Sequence, residues 1–573
     1  MTSEPRILPA GATAVLLECG TLDRALQVFA SLTAARDRGE LDVAELVPAA
    51  ETVLVSGGEA RDPRALRAKL RDLLSGSGSA SARAAASAET VIPVFYRGED
   101  LDEVATLTGM SAEQVVQRHT AAAYTVAFTG FAPGFAYLSG GDPLLEVPRR
   151  ATPRPRILPG SVGLAGPFSG VYPRESPGGW QIIGHTDHPM WDLDRERPAA
   201  LLAGEGVRFV AERERVVAAD PGRSAQVPAP SLDHPAKAKR LDRGVPSAPA
   251  LTVIDAGLQT LIEDAGRLGA SGMGVGESGV SIRRAYQQAN RLVGNRPGAA
   301  ALELSHGGFA VEAVSTTVLA LAGAPRVGQI TGPFGTRGVP EGQAFRLSVG
   351  ERLTLGAPSA GLRSVLALRG GVAATPVLGS RSRDTLAGLG PESLIAGDTI
   401  SVASEAILPV SAPEATAAQL PAAGEVTTLR VILGPRDGWF DEASIDRFFA
   451  QSWDVTPRSD RVGVRLAGDA LTRSPDFDGK ELPSEGMVLG AIQIPPDGQP
   501  VLFLADRPLT GGYPVIAVVH DDDIELAAQL APGCRVRFDL FRDGSASTEA
   551  VQNTTVPNVP APNVTEIDQE NPS

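Results

Sequence analysis

Residues 128–186 read FTGFAPGFAYLSGGDPLLEVPRRATPRPRILPGSVGLAGPFSGVYPRESPGGWQIIGHT. A linker would use the glycines and prolines without the aromatics and the Ile/Val strands. A plain core would use the aromatics without so many glycines. Together they predict a β-domain whose turns shape a concavity, because Gly and Pro punctuate short strands and the aromatics supply a wall.

Outward from this stretch, the texture persists. Short strands begin at TVIPVFYRG, and one helix is predicted over DLDEVATLTGMSAEQVVQRHTAA, where Ser111 followed by Gln114 is a capping-box pattern that opens a helix at AEQVVQRH. Upstream, TAVLLEC and ETVLVSG read as strands, and LDRALQVFASLTAAR and DPRALRAKLRDLL carry apolar residues at helical spacing. This predicts a small ferredoxin-like α/β domain over 1–75, then a low-complexity connector over 75–89. The β-domain spans 90–219, and a Pro/Ala-rich tether covers 220–250. A second β-rich block follows over 251–405, with a helix at SIRRAYQQANRLVG stopped by Gly294. An Ala/Pro connector covers about 405–425, a last β-block 426–543, and a polar tail without periodicity 544–573. PGSVGLAGP…SPGGWQIIGHT and SEGMVLGAIQIPPDGQP…LTGGYPVIAVV share a rhythm ending in Gly-Gly-aromatic and a strand, which suggests two related β-modules.

Bulk properties exclude several functions. The 573 residues carry a net charge of −15 with no basic cluster, which argues against a nucleic acid or an anionic membrane as partner. The two cysteines, Cys19 and Cys534, fit neither a disulfide framework nor a zinc site. No basic-then-apolar leader opens the chain and no apolar run approaches ~18 residues, so the expected location is the cytoplasm. The Asn-x-Thr sites at Asn553 and Asn563 then carry no meaning. Gly274-Val-Gly276-Glu-Ser-Gly279 fits GxGxxG, but no strand precedes it, so it is not read as a dinucleotide site. His185 and His188 lack further ligands, and no metal is expected.

The 128–186 stretch closely resembles the B-type subunit family of bacterial 5-oxoprolinase, also called allophanate hydrolase subunit 1 or KipI-like. GLQTLIEDAGRLG, ANRLVGNRPGAAALE, SDRVGVRLAG, the stretch 484–517 and LAPGCRVRF resemble its usual partner, the C-type subunit of 5-oxoprolinase, also called allophanate hydrolase subunit 2 or KipA-like. The chain therefore looks like a B–C fusion, and the same pair of modules forms the carboxyltransferase part of urea carboxylase. The resemblance implies a mainly β fold with an α/β N-terminal domain, one cyclophilin-like β-barrel in the B-like half and two such modules in the C-like half, with a cleft between B and C barrels. Two departures fall in the C-like half: 274–284 lacks the Pro and the acidic residue of the usual string, and the element carrying Gln259, Asp264 and Arg267 is stretched.

The implied activity is ATP-dependent opening of the lactam of 5-oxoproline to glutamate, with a separate A-type subunit as partner because no ATP-binding motif is present. Alternatives are biotin-dependent carboxyl transfer to urea or a related amide, with biotin on a separate carrier, and regulatory inhibition of a sensor histidine kinase. Oligomeric state stays open, a homo-oligomer included. Opening an amide needs an anion clamp, donors to a developing oxyanion and a group that handles protons. Gly160, Ser161, Gly178 and Gly179 are candidates for close backbone approach, or serve turns alone. Arg154 and Arg174 are candidate clamps, or surface charges. His185 is a candidate donor or general acid, and Tyr137 and Trp180 would wall the pocket or simply fill the core. In the C-like half, Gln259, Asp264, Arg267, Asn290, Glu303, Arg461, Gln493, Asp506 and Tyr513 lie in the strings that carry the resemblance. Asp264 either orients Arg267, handles protons or forms a structural ion pair with it.

Overall fold

The computed structural model describes residues 4–57, 62–76, 89–212, 247–405, 407–415 and 419–542. Most of the predicted connector 75–89 and tether 220–250, and the tail 544–573, lie outside these residues.

The N-terminal unit is a four-stranded antiparallel sheet in the order Arg6–Pro9, Ala14–Glu18, Thr52–Ser56, Glu45–Pro48. Its apolar run has no polar alternation because both faces are covered. Val15, Leu17, Val53 and Val55 pack under the helices Leu22–Asp37 and Pro63–Gly76. Ala14, Leu16, Val47 and Leu54 pack the other way, against Val488 and Leu509 of the last barrel. A strand buried on both sides reads as a continuous hydrophobic run.

Next comes a seven-stranded sheet: Gln181–His185, Ser161–Ala165, Phe168–Val171, Ala136–Ser139, Tyr124–Thr129, Gly206–Ala211, Thr90–Val94. Its ends approach through the Phe95–His185 bridge, with N–H···O distances of 2.7 and 2.9 Å, so the sheet curls into a near-barrel. The predicted helix is two helices, Leu101–Thr108 and Ala112–Ala121. Gly109 breaks it in the left-handed conformation at φ 68°, and Ser111 and Gln114 then form the expected capping box reciprocally, at 3.3 and 2.9 Å.

The C-terminal half opens with two facing sheets. One holds Gly335–Gly338, Arg326–Gly332, Arg352–Pro358, Phe309–Ala313, Ala248–Asp255 and Thr399–Val402; the other holds Gln259–Glu263, Ala301–Ser305, Arg363–Leu368, Thr317–Gly323 and Phe345–Leu347. The strand from Ala248 starts inside the predicted tether. Its Ala-Pro-Ala opening reads as linker, but Pro249 sits where the register shifts, a position that tolerates a missing N–H. Helix Arg283–Leu292 packs on the outer face of the second sheet and joins it to the last barrel in one apolar core. Gly294, at φ 72°, ends that turn as predicted. The last barrel closes in the order Val426–Leu433, Val515–Val519, Ala491–Gln493, Val501–Phe503, Gly463–Ala467, Trp453–Val455, Arg535–Leu540. It also carries a helix, Glu442–Ala450, capped by Asp441.

The suggested echo is a repeat of architecture. Each of the two modules pairs its first and last strands in parallel, Thr90–Val94 with Gly206–Ala211 and Val426–Leu433 with Arg535–Leu540. Each also carries a two-stranded flap: Ser176–Gly178 with Arg154–Ile157, and Thr510–Gly511 with Glu485–Gly486. The fold is thus mainly β, as expected.

One core group makes the fold pH-sensitive. His119 is fully buried, with Nδ1 2.7 Å from the Tyr96 hydroxyl, Nε2 2.8 Å from Ser169 Oγ and its ring stacked on Phe209 at 4.5 Å. Burial pushes its pKa down to about 3. The unfolded chain, with an ordinary histidine, binds the proton first, so this group's stabilisation is complete above about pH 6.5 and drains as pH falls towards 3. At pH 5 the loss is about 2 kcal/mol. Urea unfolding of the His119→Gln variant at pH 5 and 7.5 is expected to show a difference between the two pH values smaller by about that amount than in the parent.

Candidate functional site

The mouths of the near-barrel and the last barrel enclose a cleft of about 1060 Å³. One wall is aromatic: Phe131, Phe135, Tyr137, Tyr172 and Trp180. These rings meet edge to face, Phe135–Trp180 at 5.3 Å and Tyr137–Trp180 at 5.6 Å, while Phe128 stacks behind Tyr137 at 4.3 Å. Such packing makes a rigid wall. Phe131 is held at φ 63°, a backbone conformation costly for a bulky residue.

The two flaps face this cleft. Gly178 must lack a side chain: a Cβ there would sit 2.4 Å from the Tyr172 hydroxyl. At Gly511 a Cβ would stand 2.5 Å from Gln493 Nε2, and the Gln493 side chain would have to shift to admit it. At the neighbouring Gly179 and Gly512 a Cβ would meet only ordinary contacts, the nearest at 3.7 and 3.5 Å, and with no side chain present their backbone borders the cleft directly. The Gly-Gly-Trp and Gly-Gly-Tyr strings thus line the same cleft from two barrels, with Tyr513 half exposed and Trp180 buried.

Its polar groups divide into engaged and available. Tyr137 is buried; burial raises its phenol above the ordinary value although Arg149 and a hydrogen bond with Ser484 pull the other way, so it stays a neutral donor. On the last barrel, Arg473 lies over Trp439 at 5.5 Å and Lys480 over Phe477 at 5.6 Å, while Trp439 and Phe477 stack at 4.5 Å. Arg473 Nη1 donates to the Lys480 carbonyl at 2.6 Å. Arg473, Lys480 and Arg149 all line the cleft, with Asp478 and Glu481 beside them.

The sequence candidates separate into three groups. Tyr137, Gly178, Gly179, Trp180 and Tyr513 line the cleft. Gln493 stands behind it, donating to the Tyr513 carbonyl at 2.9 Å and so holding that flap. Arg154 is engaged elsewhere: it pairs in two hydrogen bonds, 2.8 and 2.6 Å, with Asp100. Burial would raise the Asp100 carboxyl, but Arg154, the Ile182 amide and Arg150 together hold it below its ordinary value. Arg174 reaches across the halves to the Leu386 carbonyl at 2.5 Å. Gly160 turns at φ 80° beside His185, and Ser161 is a buried strand residue paired with His185. His185 itself is half exposed, 3.2 Å from Asp187, and is not among the residues lining the cleft.

The third group forms a buried polar joint inside the C-terminal half. Arg461 donates from Nε to Asp506 at 3.0 Å, from Nη1 to Ser281 Oγ at 2.8 Å and from Nη2 to the Gly279 carbonyl at 2.6 Å, and it also meets Glu303. Asp506 accepts from Ser278 Oγ and Thr385 Oγ1, both at 2.6 Å. Glu263 lies 3.3 Å from Arg461, and burial raises its carboxyl well above the ordinary value, helped by Glu303 and Asp506. Asp264 accepts from Ser380 Oγ, the Arg381 amide and Ser382 Oγ, at 2.6–2.7 Å. Asp264 does not orient Arg267 by direct contact; Arg267 donates to the Ser382 carbonyl, so both tie down the 380–384 loop. Asn290 donates to the Ala299 carbonyl at 3.1 Å, a helix-to-strand tie. Gln259 borders a separate small cavity with His306 and Asp460.

Residues 5–201 match the family described as carboxyltransferase domain, subdomains C and D, and residues 273–540 match carboxyltransferase domain, subdomains A and B. The chain belongs to this carboxyltransferase-domain family. Its two halves are fused, with the C/D part first. The C-terminal part is 33% identical over 291 residues to the C-type subunit of 5-oxoprolinase from Escherichia coli K12, half of this chain and 90% of that protein. The N-terminal part is 48% identical over 128 residues to the B-type subunit of 5-oxoprolinase from Escherichia coli O157:H7, 22% of this chain and 59% of that protein. The solved structure of TTHA0988 is similar at 33% identity and a TM-score of 0.76, covering 92% of this chain and 99% of that one. The cleft therefore lies between the C/D and A/B parts of a carboxyltransferase-domain protein.

Removing Arg461 leaves Asp506 and Glu303 buried without their cation, a loss worth about 3–5 kcal/mol. Arg461→Met is therefore expected to lower unfolding stability by that order in urea titration, and Arg461→Lys to restore only part of it, because an ammonium cannot reproduce the forked contacts.

Proposed function

We propose that this chain is the fused B/C component of an ATP-dependent 5-oxoprolinase, opening the lactam of 5-oxoproline to glutamate together with a separate A-type subunit. The observation that carries the reading is the cleft shared by the two halves, whose relatives are the B-type and C-type subunits of that enzyme.

The substrate is a small, nearly planar ring with a carboxylate. Trp180 and Tyr513 offer flat faces for the ring, and Arg473, Lys480 and Arg149 offer cations for the carboxylate. The lactam is activated for attack by phosphorylation of its oxygen from ATP. ADP leaves as the phosphoryl group is taken. Water then adds to the activated ring carbon, the C–N bond breaks with a proton going to the nitrogen, and a second water cleaves the resulting acyl phosphate to glutamate and phosphate. Preorganised donors stabilise the negative oxygens along the way. The neutral Tyr137 phenol and the uncovered backbone at Gly179 and Gly512 are the donors available here. Asp478 and Glu481 are the carboxylates at hand for the protons released and required as water adds and the ring nitrogen leaves. ATP is proposed to be handled with the A-type subunit.

A second reading has support in the family description itself. The same cleft can hold urea or a related amide for carboxyl transfer from biotin on a separate carrier. The two reactions ask the site for the same planar-amide recognition.

The purified chain mixed with an A-type subunit is expected to release glutamate from 5-oxoproline only when ATP is present. Arg473→Met should raise KM about tenfold or more with a smaller change in kcat, as removal of a charged contact to a non-reacting carboxylate does. Turnover that instead depends on a biotinylated carrier would replace this reading with the second, and no turnover with either partner would reject both.

A further inference from the structure

A second cavity, of about 640 Å³, opens where the N-terminal sheet, the segment 268–284 and the last barrel meet. Among the described residues, none lines both it and the cleft. Its size is that of a pocket for a small organic molecule, and its wall is largely apolar, including Leu54, Val275, Met487, Leu504 and Val518.

The charges on this wall are mostly spoken for. Glu45 accepts from the Gly269 amide at 2.6 Å and from Ser271 Oγ. Glu277 pairs with Arg283 at 2.5 Å, and Arg284 pairs with Asp522 at 3.0 Å. Glu525 accepts from the Arg284 amide. Arg507 is the exception. Its Nε donates to the Met487 carbonyl at 3.3 Å, and among the described residues neither Nη group has an acceptor and no ion pair engages the guanidinium. A forked donor pair at an apolar pocket wall is matched by a carboxylate or a phosphate.

We infer that this cavity is a binding site for a small organic anion, with its anionic head paired to Arg507 and its apolar body lying against Leu54, Met487 and Val518. The inference is independent of the reaction proposed for the cleft. It separates recognition of the two parts of the ligand: the head is read by one guanidinium, and the body by area removed from water.

The test is calorimetric titration of the full chain with octanoate, octyl phosphate and octanol, repeated in the presence of saturating 5-oxoproline. Octanoate or octyl phosphate is expected to fill one site, with octanol at least about tenfold weaker. Arg507→Met should weaken the anion about tenfold or more and leave octanol unchanged. Ala12→Phe, which fills the cavity while leaving Arg507 in place, should abolish binding, and it keeps the test decisive if the arginine variant does not fold. Equal affinity for octanol and the anions, unchanged binding in Arg507→Met or Ala12→Phe, or displacement by 5-oxoproline would each overturn the assignment.

Discussion

The cleft depends on a set of close contacts between the halves, each made to a backbone group. Thr129 Oγ1 donates to the Ser271 carbonyl at 3.0 Å and the Gly134 amide to the Met273 carbonyl at 2.9 Å. Gly274 lies so close that a Cβ would stand 2.7 Å from the Ala132 carbonyl. Backbone groups removed from water must find partners, and here each half supplies the other's. The consequence is local: residues 129–134 cannot shift without moving Phe131 and Phe135, which form the cleft's aromatic wall. Glu45 adds a second grip on Gly269 and Ser271 from the N-terminal sheet. A site assembled from two modules stays one site because the fastening lies next to it.

Charged groups thus do two different kinds of work. Charge that looks catalytic in the C-terminal half, around Arg461 and Asp506, is buried and mutually satisfied, and it joins the first β-module to the last barrel. Charge that can meet a solute, at Arg473 and Lys480, is held at the rim by stacking on aromatic rings instead of by carboxylates. Paired groups fix the scaffold; unpaired ones remain for ligand. The same distinction picks out Arg507 in the second cavity.

The β-rich texture, the capping box at Ser111, the helix stop at Gly294 and the Gly-Gly-aromatic echo were legible in the sequence because each is set by residues close together in the chain. The aromatic wall was half legible: Tyr137 and Trp180 stood out, while Phe131, Phe135 and Tyr172 lay unassigned in the same stretch. The fate of the arginines was not legible. Arg154 is taken by Asp100, 54 positions away, whereas Arg473 is held over Trp439 and meets the cleft only because the halves close on each other. No local pattern distinguishes the two. The run DLDEVATLTGMSAEQVVQRHTAA showed the opposite difficulty, since its periodicity continues through a glycine whose left-handed backbone splits it in two.

A structure of the chain with 5-oxoproline bound shows whether both barrels grip the substrate. The lactam is expected between Gly178–Trp180 and Gly511–Tyr513, touching both barrels, with its carboxylate towards Arg473 and Lys480. A ligand seated on one barrel alone, or bound at His185 or at the Arg461 joint, would contradict that placement.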